Sequence, residues 1–486
     1  MQGENEMVFS SLIFISVFLP IVLVIYYTVC RNNILAQNIL LLLASLFFYA
    51  WGEPKFVLVM ILSISVNYFF GLAVKKTIEE RCKQRIWLVI SIVFNLGVLF
   101  IFKYLNFTIH NLNKIFTDAI PQTSIALPIG ISFFTFQAMS YVIDIYRGNV
   151  EVQKNPVYLA LYISFFPQLI AGPIVRYSTI ELQITNRTTT VDDFADGIRR
   201  FLIGFSKKII LANNFALIAD QAFTLIETEN LSIAFAWLGS LSYTLQIFFD
   251  FSAYSDMAIG LGKMFGFHFL ENFNYPYISS SVSEFWRRWH ISLGMWFRDY
   301  VYIPLGGSHV EKKMIMIRNL FVVWLLTGIW HGANWTFIIW GLWYFVLLTF
   351  EKITKIPRKL KSCCSRLIYG LLTFVFVNTG WVLFRADSIY QAIDYLKSMI
   401  GFGIYGKLYD NMFFQYFCEN WILISIGIIY SVGAFKYIKN KIDNYGSNIL
   451  SQTVDYSSIG VYLMLFIVSI SYLVMGSYNP FIYFNF

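Results

Sequence analysis

The chain reads as an all-α protein that crosses a membrane many times, and three observations carry that reading. Of its 486 residues, 57% are hydrophobic, 19% aromatic and only 13% charged, whereas a soluble domain carries about 25% charged residues. The apolar residues fall in runs of about 20, the length at which a helix crosses a hydrocarbon core, and mean hydropathy is +0.61. The net charge of +8 is not the footprint of a nucleic-acid partner. Many of the basic residues crowd short loops between apolar runs, as cytoplasmic loops do.

Taken in order, the candidate spans lie near 8–29, 34–51, 55–74, 86–105, 125–146, 198–219, 231–251, 252–268, 314–332, 335–350, 367–384, 421–437 and 459–476. Residues 1–6 are polar and acidic, so Met7 reads as the native start, with the preceding residues an upstream start or an expression remnant. The first apolar run has no basic n-region and no A-x-A site, and it is too long for a cleaved signal, so it is expected to be retained. Segment 157–175 holds Pro167, Gly172 and Pro173. Broken backbone at membrane depth survives only inside protein or along a cavity, which predicts a re-entrant segment. Over 388–400, Ile389, Ile393, Leu396 and Ile400 share a face away from Asp394 and Lys397, the pattern of a helix lying in the interface.

Loop charges set the orientation. Lys75, Lys76, Arg81, Lys83 and Arg85 form one basic loop, Lys352, Lys355, Arg358, Lys359, Lys361 and Arg366 a second, and Lys436, Lys439 and Lys441 a third. With all three in the cytoplasm, the N-terminus and the tail 477–486 lie outside. That count closes only if 252–268 does not cross fully. No loop holds a soluble domain and no internal repeat is visible, so residues 1–486 are read as one membrane domain. Cys30, Cys82, Cys363, Cys364 and Cys418 have no CxxC spacing, and the only acidic neighbour of a histidine at helical spacing, Glu271 after His268, lacks a further ligand. No metal site is expected.

Four stretches are candidates for chemistry. His331 follows Thr327-Gly328-Ile329-Trp330 inside apolar sequence. An ionisable group there is costly and usually faces a water- or substrate-filled path, and a neutral imidazole suits proton transfer near neutral pH. Ser283-Glu284-Phe285-Trp286-Arg287-Arg288-Trp289-His290 packs guanidinium, indole and imidazole together. Arg287 and Arg288 there either bind phosphates of an anionic donor or anchor the segment at the bilayer edge. Tyr243, Gln246, Asp250 and Tyr254 recur at three- and four-residue steps. This polar stripe either lines a substrate path or joins helices, and each residue taken singly favours joining. The tail Ser477-Tyr478-Asn479-Pro480-Phe481-Ile482-Tyr483-Phe484-Asn485-Phe486 has the composition of an aromatic belt, yet Tyr483 adds a phenolic hydroxyl.

Several of these segments resemble one family. Met7-Val8-Phe9-Ser10-Ser11, Phe165-Phe166-Pro167-Gln168-Leu169-Ile170-Ala171-Gly172-Pro173-Ile174, Phe285-Trp286-Arg287-Arg288-Trp289-His290-Ile291-Ser292-Leu293, Tyr302-Ile303-Pro304-Leu305-Gly306-Gly307, Thr327-Gly328-Ile329-Trp330-His331-Gly332-Ala333 and Gly380-Trp381-Val382-Leu383-Phe384-Arg385-Ala386 look like the membrane-bound O-acyltransferases. The likeness is strongest to the bacterial branch that modifies alginate and peptidoglycan. The resemblance implies a ring of about 11–13 membrane helices around a tunnel joining a cytoplasmic donor site to an outer funnel. It implies catalytic roles for His331 and His290, with segment 157–175 as tunnel wall and Gln246, Asp250 and Tyr254 as candidates to line the tunnel. It also implies no bound cofactor, with acetyl-CoA or another acyl thioester as donor substrate.

The chemistry that follows is acyl transfer across a bacterial inner membrane. An acceptor hydroxyl is a poor nucleophile at its free pKa and needs a positioned base. His331, kept neutral by desolvation, would take that proton as the oxygen attacks the thioester, and His290 would orient the donor or help protonate the leaving thiolate. The aromatic tail resembles a C-terminal motif of this branch, which implies Tyr483 as a transient acyl carrier. An extracytoplasmic SGNH-type esterase or transferase would then load a polysaccharide. Acylation of lipid or protein, transfer of D-alanine, and a transporter remain open alternatives, the last weakened by the lack of inverted repeats.

Overall fold

The computed structural model describes residues 7–116, 119–227, 231–308, 312–446, 448–476, 478–480 and 482. Among them there is no strand, and nine helices are long and apolar enough to cross a membrane. This is an all-α, multi-pass membrane protein. Its contacts divide the chain into two compact units, Met1–Phe201 with Tyr254–Leu270, and Leu202–Ala253 with Glu271–Phe486.

In the first unit, Ile34–Gly52, Phe56–Lys76 and Arg81–Phe116 are candidate spans, and Phe14–Tyr27 is a shorter apolar helix. Apolar surface cannot drive helix association in lipid, so polar rungs and close packing do it. Asn67 and Asn95 exchange amide hydrogen bonds of 3.0 and 2.8 Å between two of these helices. The buried Arg187 guanidinium donates to Tyr26 Oη at 3.0 Å, to Phe265 O at 3.1 Å and to Asn38 Oδ1 at 2.7 Å, tying three chain segments at one point. Phe9 is fully buried, with its ring stacked on Tyr254 at 4.7 Å. The start motif is therefore core packing.

Several predicted boundaries move, each for a local reason. The span expected at 125–146 begins only at Ile131, because Gly130 takes a left-handed φ of 73° ahead of it. Helical sequence over 157–175 is interrupted as expected. Pro156–Ser164 ends at Phe165, a four-residue turn Phe166–Leu169 follows with Pro167 in its first turn, and this stretch is buried. The segments 231–251 and 252–268 are not separate. They form one helix, Ile233–Met264, about 48 Å long, since no proline interrupts it.

In the second unit the candidate spans are Lys313–His331, Trp335–Thr354, Cys363–Arg385, Asn411–Ser431 and Ser451–Val474. The run expected at 421–437 is split, because Gly433 turns the chain with φ 76° between Asn411–Ser431 and Ala434–Tyr445. The interfacial candidate forms as Ile389–Met399 with Ser388 as its N-cap. Its packed face is a different one from the isoleucine face. Ala392, Tyr395 and Met399 are buried, while Ile393 and Ile400 are exposed. The isoleucine face is turned outward, as suits a helix resting on lipid.

Candidate functional site

Both site histidines belong to the second unit, and the hairpin of Lys313–His331 and Trp335–Thr354 sets one of them in place. Gly328 and Gly341 let the two helices touch. A Cβ on Gly328 would stand 2.5 Å from Phe337 O, and one on Gly341 would collide with the Trp324 carbonyl. The first helix ends at His331 because Gly332 is extended, and Asn334 then caps the next helix by accepting from Thr336 N at 3.2 Å. His331 is thereby pressed into an aromatic box. Its ring lies edge-on to Trp330, Trp340 and Phe384, with centroids 5.0, 4.9 and 5.1 Å away.

His290 sits between two short helices, Val282–Arg288 and Ile291–Phe297. The first is anchored by Glu351, a buried carboxylate that accepts from Val282 N at 2.8 Å and Ser283 N at 2.9 Å. An acidic group on otherwise unsatisfied N-terminal amides is a favourable cap. His290 itself has a left-handed φ of 43°, a strained conformation for a residue with a Cβ, worth about 1–3 kcal/mol. Backbone pairing across the turn holds it, from Asn274 N to Arg288 O at 2.9 Å and from Ile291 N to Asn272 O at 3.0 Å.

Asn272 also determines which imidazole nitrogen carries the proton. Its Oδ1 accepts from the Ser292 backbone N–H at 3.2 Å and lies 3.1 Å from His290 Nδ1. A backbone N–H can only donate, so that atom is an acceptor, and Nδ1 must donate to it. Nε2 then keeps the lone pair. Burial pushes the imidazole down to about 3, so it is neutral at pH 7.

A cavity of about 480 Å³ reaches this histidine, within the range of sites for small organic ligands. Its wall includes Trp286, Arg287, His290, Arg298, Tyr302 and Lys352. Arg298 is paired with Asp299 at 2.6 Å, and Lys352 donates to Tyr302 Oη at 2.8 Å. Among the described residues Arg287 has neither ion pair nor hydrogen bond, and it is exposed. It is the cation left available to an anion.

On the far wall Leu320, Val323, Trp324 and Thr327 follow one another at helical steps. The next residue on that face is His331, about 27 Å along the helix from Lys313. The two histidines flank one indole. Trp330 has its centroid 6.2 Å from His290 and 5.0 Å from His331. The arrangement offers an exposed arginine, a largely apolar cavity wall and one imidazole, His290, on that wall, with the second imidazole, His331, on the other side of Trp330.

A family model described as MBOAT, membrane-bound O-acyltransferase family, matches residues 98–386. This chain is a membrane-bound O-acyltransferase. The chain is 46% identical over 405 residues to a Pseudomonas aeruginosa protein named "Probable alginate O-acetylase AlgI", covering 82% of this chain and 75% of that protein. It is 35% identical over 524 residues to the "Peptidoglycan O-acetyltransferase" of Helicobacter pylori, covering 99% and 98%. It is 33% identical over 278 residues to the "Teichoic acid D-alanyltransferase" of Bacillus subtilis, covering 54% and 70%. The O-acyltransferase motifs that the sequence displays therefore belong to an enzyme.

The structure brings His331, His290 and Arg287 of this acyltransferase to one region. It does not bring Arg288 there, since that guanidinium is held by Glu284 at 2.8 Å and by Asn274 O at 3.1 Å. Helical geometry sends adjacent arginines to different faces, which the sequence pair alone does not resolve. Gln246 is buried with its Oε1 lacking a hydrogen-bond partner among the described residues, Tyr254 packs on Phe9 in the first unit, and Asp250 forms an ion pair with Lys208 at 2.6 Å. Tyr483 lies outside the described residues. Sequence reasoning missed Asn272 and Glu351. Only Glu351 carried a signal, as a carboxylate near the end of an apolar run.

Proposed function

We propose that this acyltransferase draws an acetyl group from a cytoplasmic thioester, acetyl-CoA or its equivalent, and passes it outward for O-acetylation of a cell-envelope polysaccharide. The observation that carries this reading is the cavity that joins Arg287 to His290, with the Trp330 indole standing between His290 and His331. A thioester donor is anionic at its nucleotide end and thin and weakly polar along its arm. Arg287 matches the first feature and the largely apolar cavity the second.

In this reading, His331 takes the proton of the accepting hydroxyl as its oxygen attacks the thioester carbonyl. The C–S bond breaks, and the thiolate recovers its proton from the His331 imidazolium, while the Nε2 lone pair of His290 is left to accept a hydrogen bond from the donor's arm. The accepting hydroxyl is that of Tyr483, because a phenolate (pKa about 10) leaves an ester far more readily than a sugar alkoxide. The tyrosyl ester then hands the acetyl group to an SGNH-type partner outside the bacterial inner membrane, which loads the polysaccharide. Acetyl is favoured over D-alanyl because the relatives named for O-acetylation match 82% and 99% of the chain, against 54% for the D-alanyl relative.

The test is His331→Gln, which keeps hydrogen-bonding capacity and removes the base. It should reach the membrane at parental levels and acetylate no polymer. Parental acetylation by a well-expressed variant overturns the role given to His331.

A further inference from the structure

Tail residues 478–480 and 482 are held by side chains outside the two-histidine site. Lys208 and Asp250 form an ion pair of 2.6 Å with both side chains almost wholly buried. Lys208 stands in a π-helical stretch, Lys207–Ala212, of the kind that recurs at functional sites because the extra residue re-aims a side chain. A buried pair is tolerated only when its remaining donors and acceptors are also filled. Here the tail fills one on each side chain. The Lys208 ammonium donates to the Pro480 carbonyl, and Asp250 Oδ2 accepts from the Ile482 N–H at 2.9 Å.

Two further contacts extend the grip in the same direction. Asn213 Nδ2 donates to Asn479 Oδ1 at 3.1 Å. Tyr478 Oη donates to Asp220 Oδ2 at 2.9 Å, and the other oxygen of that carboxylate accepts from Arg385 at 2.8 Å. Tail residues 478, 479 and 480 thus meet helix residues 220, 213 and 208 in order. Residues 478–480 run antiparallel to the span Val191–Ile226, and the Ile482 amide reaches the ion pair.

We propose that the Lys208–Asp250 pair is the dock of the C-terminal tail and sets the position of the residue next in sequence, Tyr483. Lys208 and Asp250 are positioning residues for acyl transfer, and this role rests on the carrier reading of Tyr483 given above. The dock grips main-chain groups, so it depends on an N–H at position 482 and not on the isoleucine side chain.

A substitution in the tail tests this without disturbing the folded body. Ile482→Pro removes the N–H that Asp250 accepts, whereas Ile482→Val keeps it. Docking is read with Asn213→Cys and Asn479→Cys in a background with the five native cysteines changed to serine, as the rate of disulfide formation between them. Ile482→Pro should slow that rate about tenfold, the ratio expected from loss of one charge-assisted hydrogen bond, and Ile482→Val should leave it unchanged. The neutral double variant Lys208→Gln/Asp250→Asn should slow it similarly, with no further loss when combined with Ile482→Pro. On otherwise native enzyme, Ile482→Pro should lower kcat for acetylation and leave the donor KM unchanged. Equal disulfide rates in Ile482→Pro and its parent overturn the dock. Normal acetylation by Tyr483→Phe, with the Ile482→Pro effect on disulfide formation intact, overturns the carrier reading and leaves the dock standing.

Discussion

Replacing Asn272 by alanine tests whether the orientation of His290 matters. Oδ1 of Asn272 receives three donors, His290 Nδ1 at 3.1 Å, Ser292 N at 3.2 Å and Ser292 Oγ at 2.9 Å, and all three residues are buried. The serine hydroxyl can rotate to another acceptor, which leaves two stranded donors at about 1–3 kcal/mol each. Part of that cost is relieved by local relaxation, so Asn272→Ala should destabilise the protein by roughly 3 kcal/mol. A second effect is separate from stability. Without the acceptor, the imidazole loses its preference for a proton on Nδ1, and Nε2 no longer presents a lone pair to the cavity. Asn272→Asp keeps an acceptor in place and should restore the tautomer. The assay is thermal unfolding in detergent together with single-turnover acyl transfer from a thioester donor at a temperature where both variants are folded. The expected result is a lowered melting temperature and a slowed transfer for Asn272→Ala, with transfer regained in Asn272→Asp. If folded Asn272→Ala transfers acyl groups at the parental rate, the tautomer argument is wrong.

Arg287→Ala should raise the donor KM with kcat unchanged, by about tenfold to a hundredfold for one lost charge-assisted contact, as measured by acyl transfer against thioester concentration. Arg288→Ala should leave that KM near the parental value, since its guanidinium is engaged by Glu284. Gly341→Val should be among the most damaging single changes in the Lys313–His331 hairpin, because its side chain would meet the Trp324 carbonyl and the Gly328 backbone; overpacking of this kind costs about 1–3 kcal/mol or more, and detergent melting curves report it. A cysteine at position 288 should react with a membrane-impermeant reagent only from the cytoplasmic side, and labelling from outside would reverse the charge-derived orientation.

Much of this enzyme was legible without coordinates, for reasons that are local. The runs of about 20 apolar residues, the prolines in 157–175 and the histidine at 331 each signal through their immediate neighbours, since a bilayer penalises charge and broken backbone wherever they occur. Periodicity also placed a helix at 389–399, but not its packed face, because both sides of a helix at the lipid boundary are apolar enough to be buried. The run 231–268 was divided in the sequence by its length, yet no proline interrupts it and Ile233–Met264 forms one helix. What only the tertiary structure decided are partnerships across long stretches of chain. Glu351 caps a helix 69 residues earlier, Asn272 orients a histidine 18 residues later, and the ion pair of Lys208 and Asp250 meets an amide 232 residues beyond the aspartate. A buried polar group takes whichever complementary group the fold delivers. Local spacing can therefore mark His290 and Asp250 as costly, but cannot name what offsets the cost.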